Sequence, residues 1–228
     1  DPQFGILPFI LTSVYGTAGA ILVGVPIGFL TAVFLSKLAS PRIAAVIRTA
    51  VELLSGIPSV VYGLIGMTVL VPAIRTTFHL ASGATLLAAI VVLAIMVLPY
   101  MMSVSETALS AVPKENEEAS LALGATEIET YFRVSVPAAS SGIAASVVLG
   151  VGRAIGETTA VMMVAGSQPR MPTGILNGIR TMTVNIVMEM GYAADLHREA
   201  LIATGVVLFV FILLINLLFN MMKRRQSA

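Results

Sequence analysis

The sequence predicts an all-α, polytopic helical membrane protein, and three observations carry that prediction. Hydrophobic residues fill 57% of the 228 positions and charged residues only 11%. Mean hydropathy is +0.96, above what a soluble core of this length requires. The long apolar runs lack the period-two alternation of a transmembrane barrel strand, so the spans are helical. A crossing takes about 20 mostly apolar residues, which leaves room for five spans in lipid, joined by short connections, as one membrane domain over 1–228.

The first span is read at 8–35. It is longer than one crossing needs, and tilt or a kink at Gly24, Pro26 and Gly28 would absorb the excess. The second, 49–74, carries Ser55-Gly56-Ile57-Pro58-Ser59, where Pro58 removes a helix hydrogen bond and predicts a bend. The third, fourth and fifth are read at 84–102, 140–165 and 200–222. Alternate connections share a side: Lys37, Arg42, Arg48, Lys114, Arg133, Lys223, Arg224 and Arg225 fall on one, Arg75, Arg170, Arg180 and Arg198 on the other. The richer side is expected to be cytoplasmic. Asp1 is then outside, which anticipates a further N-terminal span ahead of this chain.

Composition also narrows the chemistry. There is no cysteine, and His79 and His197 are the only histidines, so thiol chemistry, disulfides and a His/Cys metal cluster fall away. Both histidines are read as interfacial loop residues. A net charge of +1 gives no footprint for nucleic acid. A P-loop needs G-x-x-x-x-G-K-[ST], but Lys37, Lys114 and Lys223 are followed by Leu, Glu and Arg. No cofactor, metal or catalytic residue is therefore expected in this chain, and any ATP-driven step would need a second polypeptide.

The connection 103–139 holds Glu106, Glu115, Glu117, Glu118, Glu127 and Glu129, half of the acidic residues. Pro113 suits a first helical position, Glu115 and Glu117 complement a helix dipole, and Gly124 suits the left-handed residue that closes the helix. Thr126 and Glu129 have capping-box spacing for a second short helix ending near Pro137. Ala119, Ala122 and Leu123 share one face of the first helix. From the pattern alone, that face lies on the headgroups or fills a partner's groove. The residues Glu118-Ala119-Ser120-Leu121-Ala122-Leu123-Gly124, followed by Val136-Pro137, resemble the EAA motif of ABC-importer permeases, with Ser120 in place of a third alanine. The resemblance implies a coupling helix seated on a separate ATPase, with Glu118, Ala119, Ala122 and Gly124 as the coupling residues.

Arg153 and Glu157 lie inside the fourth span, four apart and so on one helical face. Ionisable groups at membrane depth line a pathway or form a structural pair. As a structural pair they would fix packing beside a Gly152-x-x-x-Gly156 contact. As an anion path, the guanidinium offers a planar fork of donors and the carboxylate can accept from a protonated oxyanion such as phosphate. Glu52 is read as a helix-end pair with Arg48. Ser55, Ser59 and Tyr62 are read as ordinary helix–helix hydrogen bonds.

Three further segments tighten the resemblance: 52–63, Gly152-Arg153-Ala154-Ile155-Gly156-Glu157-Thr158, and Ile179-Arg180-Thr181-Met182-Thr183 with Glu189-Met190-Gly191-Tyr192-Ala193. Together they are similar, over 4–220, to the phosphate-specific ABC-importer permeases, PstC type. That resemblance implies a five-span type I core and a substrate pathway at Arg153, Glu157 and Thr158. It also implies a bacterial cytoplasmic (inner) membrane location and three partners: a PstA-type second permease, a cytoplasmic ATPase dimer holding ATP and magnesium, and an extracytoplasmic phosphate-binding protein. The outer loop, with Met171 to Gly174 and Asp195 to Glu199, is where that protein would touch. Other readings are a permease for sulfate or molybdate, a stand-alone secondary anion carrier, for which inverted repeats are not evident, and a membrane scaffold.

Overall fold

The fold is taken from a computed structural model, which describes residues 5–226, apart from the side chains of 219, 220 and 222–226. The expectation for Asp1, the start of the resemblance at Phe4 and the charges of Lys223 to Arg225 thus lie outside the described residues. Helix α1 (Leu7–Val33) opens on Pro8, tolerates Pro26 in its interior and continues through one π-helical turn, Phe34–Leu38. Its buried stripe is small until Val33 at its end: Thr12, Ser13, Gly16, Thr17, Ala20, Gly24, Gly28 and Ala32. Small residues at i, i+4 spacing let two helix backbones approach. Here the partner is α5 (Leu86–Ser110), and a Cβ placed at Gly28 would stand 2.7 Å from that of Met101.

The expected second span divides. Helix α2 (Pro41–Gly56) is amphipathic. Ala44, Ile47 and Val51 pack on Leu35, Leu98 and Met102, while Ile43, Val46 and Leu53 are exposed. Ile57 and Pro58 are extended, and the crossing starts at α3 (Ser59–Ile65), passing through a π turn, Gly66–Leu70, into α4 (Val71–Thr77). Proline disfavours the helical conformation in its predecessor, and here Ile57 leaves it, so this is a break and not a bend. The Tyr62 hydroxyl donates to the Leu54 carbonyl at 2.7 Å and closes the end of α2.

Helix α5 runs eight residues beyond the predicted 84–102 and carries Glu106 out of the loop. Its first N–H groups are satisfied from outside the helix. The Thr85 side chain accepts from Ala88, and the carbonyls of Asn177 and Ile175 accept from Leu86 and Leu87.

Beyond α5 come α6 (Lys114–Ala122), α7 (Glu127–Thr130), a π turn Tyr131–Ser135 and α8 (Val136–Ala138). The chain then bends by 70° into α9 (Ser140–Gly156). Then follow α10 (Thr159–Val164), α11 (Met182–Met190) and α12 (Asp195–Gln226). Among the described residues, four continuous helical stretches have the length and apolarity of a crossing: Leu7–Leu38, Ser59–Thr77, Leu86–Ser110 and Asp195–Leu218; the bent pair Glu127–Ala138 with Ser140–Gly156 makes a fifth when counted as one span. The fourth expected span, 140–165, is therefore α9 plus α10, interrupted between them.

Candidate functional site

Two regions bear on function, one at each side of that interruption. In the loop, the expected capping box and glycine closure both form. Thr126 and Glu129 form a reciprocal capping box. Gly124 sits at φ +91°, with its N–H donating to Leu121 and that of Ala125 to Ser120, the double closure of a Schellman turn. Pro113 stands one position earlier than expected, as the N-cap. No residue of α6 is buried; Ala119 and Ala122 are exposed, and Leu123 is 90% exposed. The predicted face is therefore bare.

The helix itself is held from behind. Glu117 accepts from Lys37 at the end of α1 and from the Ser135 hydroxyl at 2.7 Å. Ser120 and Thr130 share a hydrogen bond of 2.9 Å. Burial raises the Glu117 carboxyl, but hydrogen bonds from Lys37 and Ser135 and the Lys37 charge outweigh it, so it lies below its ordinary 4.5. Glu118, one position on, is exposed. Arg48 pairs with Glu106 of α5 at 2.6 Å. The expected pair with Glu52 gives way to a tertiary one, because α5 is longer than predicted.

In the fourth span the shared face of Arg153 and Glu157 does not exist. Helix α9 ends at Gly156, Glu157 is extended (ψ 124°), and α10 begins two residues later. Glu157 is 9% exposed, its Oε1 accepting the Ala160 N–H at 3.1 Å and its carbonyl accepting from Thr183 at 3.3 Å. It borders a small cavity of about 10 Å³ with Ser13, Thr17 and Thr181. Arg153 instead lies on an exposed strip with Leu149, Gly152 and Gly156, its guanidinium carbon 5.0 Å from the centre of the Tyr100 ring. Among the described residues it has no carboxylate partner. Nothing lies within 4 Å of a Cβ built at Gly152 or Gly156, so the expected glycine contact is unused within this chain. Thr158 is half-buried and its hydroxyl donates to the Gly156 carbonyl.

Tyr100 escaped the sequence reading, since nothing local connects it to Arg153. The outer cluster was quoted only as part of the resemblance. Arg180 pairs with Glu189 at 2.6 Å and also bonds Asn185 and the Ser167 carbonyl. His197, expected as a loop residue, is in the first turn of α12 and reaches Glu189 at 3.7 Å. They line an open cleft of about 410 Å³ with Phe9 and Thr204. A hydrogen bond from Tyr192, opposed by burial and reinforced by Arg180, holds the Glu189 carboxyl below 4.5. His79 is an exposed turn residue with φ 52°.

The fold and this site define a class, the multi-pass helical membrane protein, here with a bare, capped helix at one end and an exposed arginine beside a broken span. Residues 24–228 match the family of binding-protein-dependent transport system inner membrane components, and the chain belongs to that family. It is 41% identical, over 100% of its length and 74% of the relative's, to the probable ABC transporter permease protein YqgH of Bacillus subtilis. It is 36% identical, over 99% of its length and 75% of the relative's, to the phosphate transport system permease protein PstC of Mesorhizobium japonicum. Among solved structures, the inward-facing MetNI methionine ABC transporter aligns at TM-score 0.71 and 20% identity, covering 98% of this chain and 95% of that one. A bacterial ABC transporter involved in import of the acidic polysaccharide alginate aligns at 0.75 and 16%, covering 100% and 82%. These two share the fold. The chain is a multi-pass membrane permease subunit of an ABC importer, not an enzyme; ATP hydrolysis lies in a separate subunit, and a substrate-binding protein is its other kind of partner.

Proposed function

We propose that this permease subunit imports phosphate across a bacterial cytoplasmic membrane, paired with a PstA-type permease, an ATPase dimer that holds ATP and magnesium, and a phosphate-binding protein. The observation that carries the reading is Arg153, an exposed guanidinium within a spanning segment with an aromatic face and, among the described residues, no carboxylate partner. A tetrahedral oxyanion is the ligand that such a fork of donors suits. Several relatives named as phosphate permeases support the same choice.

In this reading Arg153 and Thr158 face the path, next to the open strip of Gly152 and Gly156 against which the second permease would close. Glu157 serves the path from behind by fixing the helix break. The face of Glu118, Ala119, Ala122 and Gly124 docks on the ATPase. ATPase closure then moves the coupling helix, and the bundle rocks between inward and outward access.

The test is uptake of radiolabelled phosphate, with sulfate as competitor, by the complete transporter carrying Arg153→Ala. The expected result is a loss of about a hundredfold, as for removal of a charged donor to an anion, with assembly intact and no competition by sulfate. Wild-type uptake by the variant, or full competition by sulfate, overturns the assignment.

A further inference from the structure

The coupling helix needs a route for force into the bundle, and its own packing provides little. Helix α6 has no buried residue and rests on the segment 127–135. The chain directly after it is seated firmly: Val136 and Ala139 join Ala32, Val33, Leu109 and Val112 in an apolar cluster at the ends of α1 and α5. A helix resting on one support can rock about it. Glu117 supplies a second support. Its carboxylate takes Ser135 from the supporting segment and Lys37 from the π turn that ends α1. Among the described residues, this is the ion pair that ties α6 to a spanning helix. The side chains are sheltered, Lys37 at 11% and Glu117 at 17% exposure, so salt screens them weakly.

The two adjacent glutamates divide the work. On a helix they point about 100° apart; Glu118 is exposed on the motif face and Glu117 is turned inward. The resemblance quoted for the loop begins at Glu118 and does not include Glu117, Lys37 or Ser135.

We propose that Lys37, Glu117 and Ser135 are positioning residues that brace the coupling helix against α1, so that displacement of α6 is delivered to the first spanning helix and not lost in rocking. The proposal rests on the docking of α6 to the ATPase argued above. It concerns transmission, and so separates binding of the motor from use of its stroke. Removing the brace leaves the ATPase bound and hydrolysing, while phosphate carried per ATP falls.

The experiment uses the complete transporter in proteoliposomes, with Lys37→Met, Glu117→Gln and the double variant Lys37→Cys/Glu117→Cys in this cysteine-free chain. Co-purified ATPase, ATP turnover and phosphate uptake are measured together. The expected result is full ATPase recovery with uptake per ATP reduced about tenfold, the size of a typical coupling between sites. A short bifunctional thiol reagent joining the two cysteines restores that ratio, which a variant that merely folds badly would not show. Uptake per ATP within about twofold of wild type in both single variants overturns the proposal. Loss of the ATPase from Glu117→Gln overturns it too, by making Glu117 part of the docking surface. Gly124→Val, measured in parallel, reports on docking: a variant that keeps its ATPase fully coupled removes the docking reading, whereas an uncoupled Gly124→Val beside normal Lys37→Met removes only the brace.

Discussion

Glu157→Gln is the substitution whose outcome depends most on where the fourth span breaks. The carboxylate is 9% exposed and accepts the Ala160 N–H at 3.1 Å, while Arg153 is engaged with Tyr100. A glutamine amide oxygen can take over as acceptor. The loss is then the difference between a charged and a neutral hydrogen bond, about 1 kcal/mol. For a chain of this length that is about 2–4 °C in Tm. Glu157→Ala removes the acceptor and leaves a buried N–H at membrane depth without a partner, a penalty of about 2–3 kcal/mol and about 5–10 °C. The assay is thermal unfolding of the purified transporter beside phosphate uptake in proteoliposomes. The glutamine variant is expected to keep uptake within about threefold of wild type, and the alanine variant to lose stability first. Abolished uptake in Glu157→Gln at unchanged Tm refutes the reasoning, because the carboxylate would then be meeting substrate or its proton directly.

Gly124→Val places a β-branched residue at φ +91° with no neighbour within 4 Å of its Cβ, so the strain is in the backbone alone. It should cost about 1–2 kcal/mol locally, leave the bundle's Tm unchanged and weaken recovery of the ATPase on co-purification. The Glu129 carboxyl is held below 4.5, first by the backbone N–H and then by the side chain of Thr126. The cap is therefore complete above pH 4.5 and is lost as the pH falls through the lowered value. Hydrogen exchange of residues 127–130 should be flat from pH 8 to pH 5, after correction for intrinsic rates, and rise in acid. Glu129→Gln should remove that step.

What was legible in the sequence was local. The capping box, the glycine closure and the small-residue face of α6 involve partners within a few positions, and the structure keeps all three. The apolar runs located the crossings because their length is set by the bilayer. The breaks were harder. At Pro58 the signal was present, since a residue before proline is biased out of the helical region, but α1 carries Pro26 unbroken, and a bend and a break read alike without the following helix axis. At Glu157 no proline announces the interruption. Gly150, Gly152 and Gly156, followed by Thr158 and Thr159, were the weak signal, and an i, i+4 rule applied across them presumes the helix it is meant to test. Tyr100 beside Arg153, Glu106 beside Arg48 and Lys37 beside Glu117 are invisible locally, being products of how long α5 is and how α6 folds back.

The described ion pairs have a consequence through where they sit. Lys37 with Glu117 and Arg48 with Glu106 are at one end of the bundle, and Arg180 with Glu189 and His197 at the other. Between them large apolar side chains of α5, Ile90, Leu93, Val97 and Met101, meet the glycines of α1. Steric contact of that kind is indifferent to ionic strength and the sheltered Lys37–Glu117 pair nearly so, whereas Arg48, its side chain 48% exposed, sits within reach of salt. The molecule is thus fastened ionically at its two rims and sterically along the uncharged seam between them, where Ile90 and Met101 of α5 fit against Gly19 and Gly28 of α1. Such a seam keeps its registry at depth whatever the salt on either side, and the more exposed rim pair is the one that answers to it.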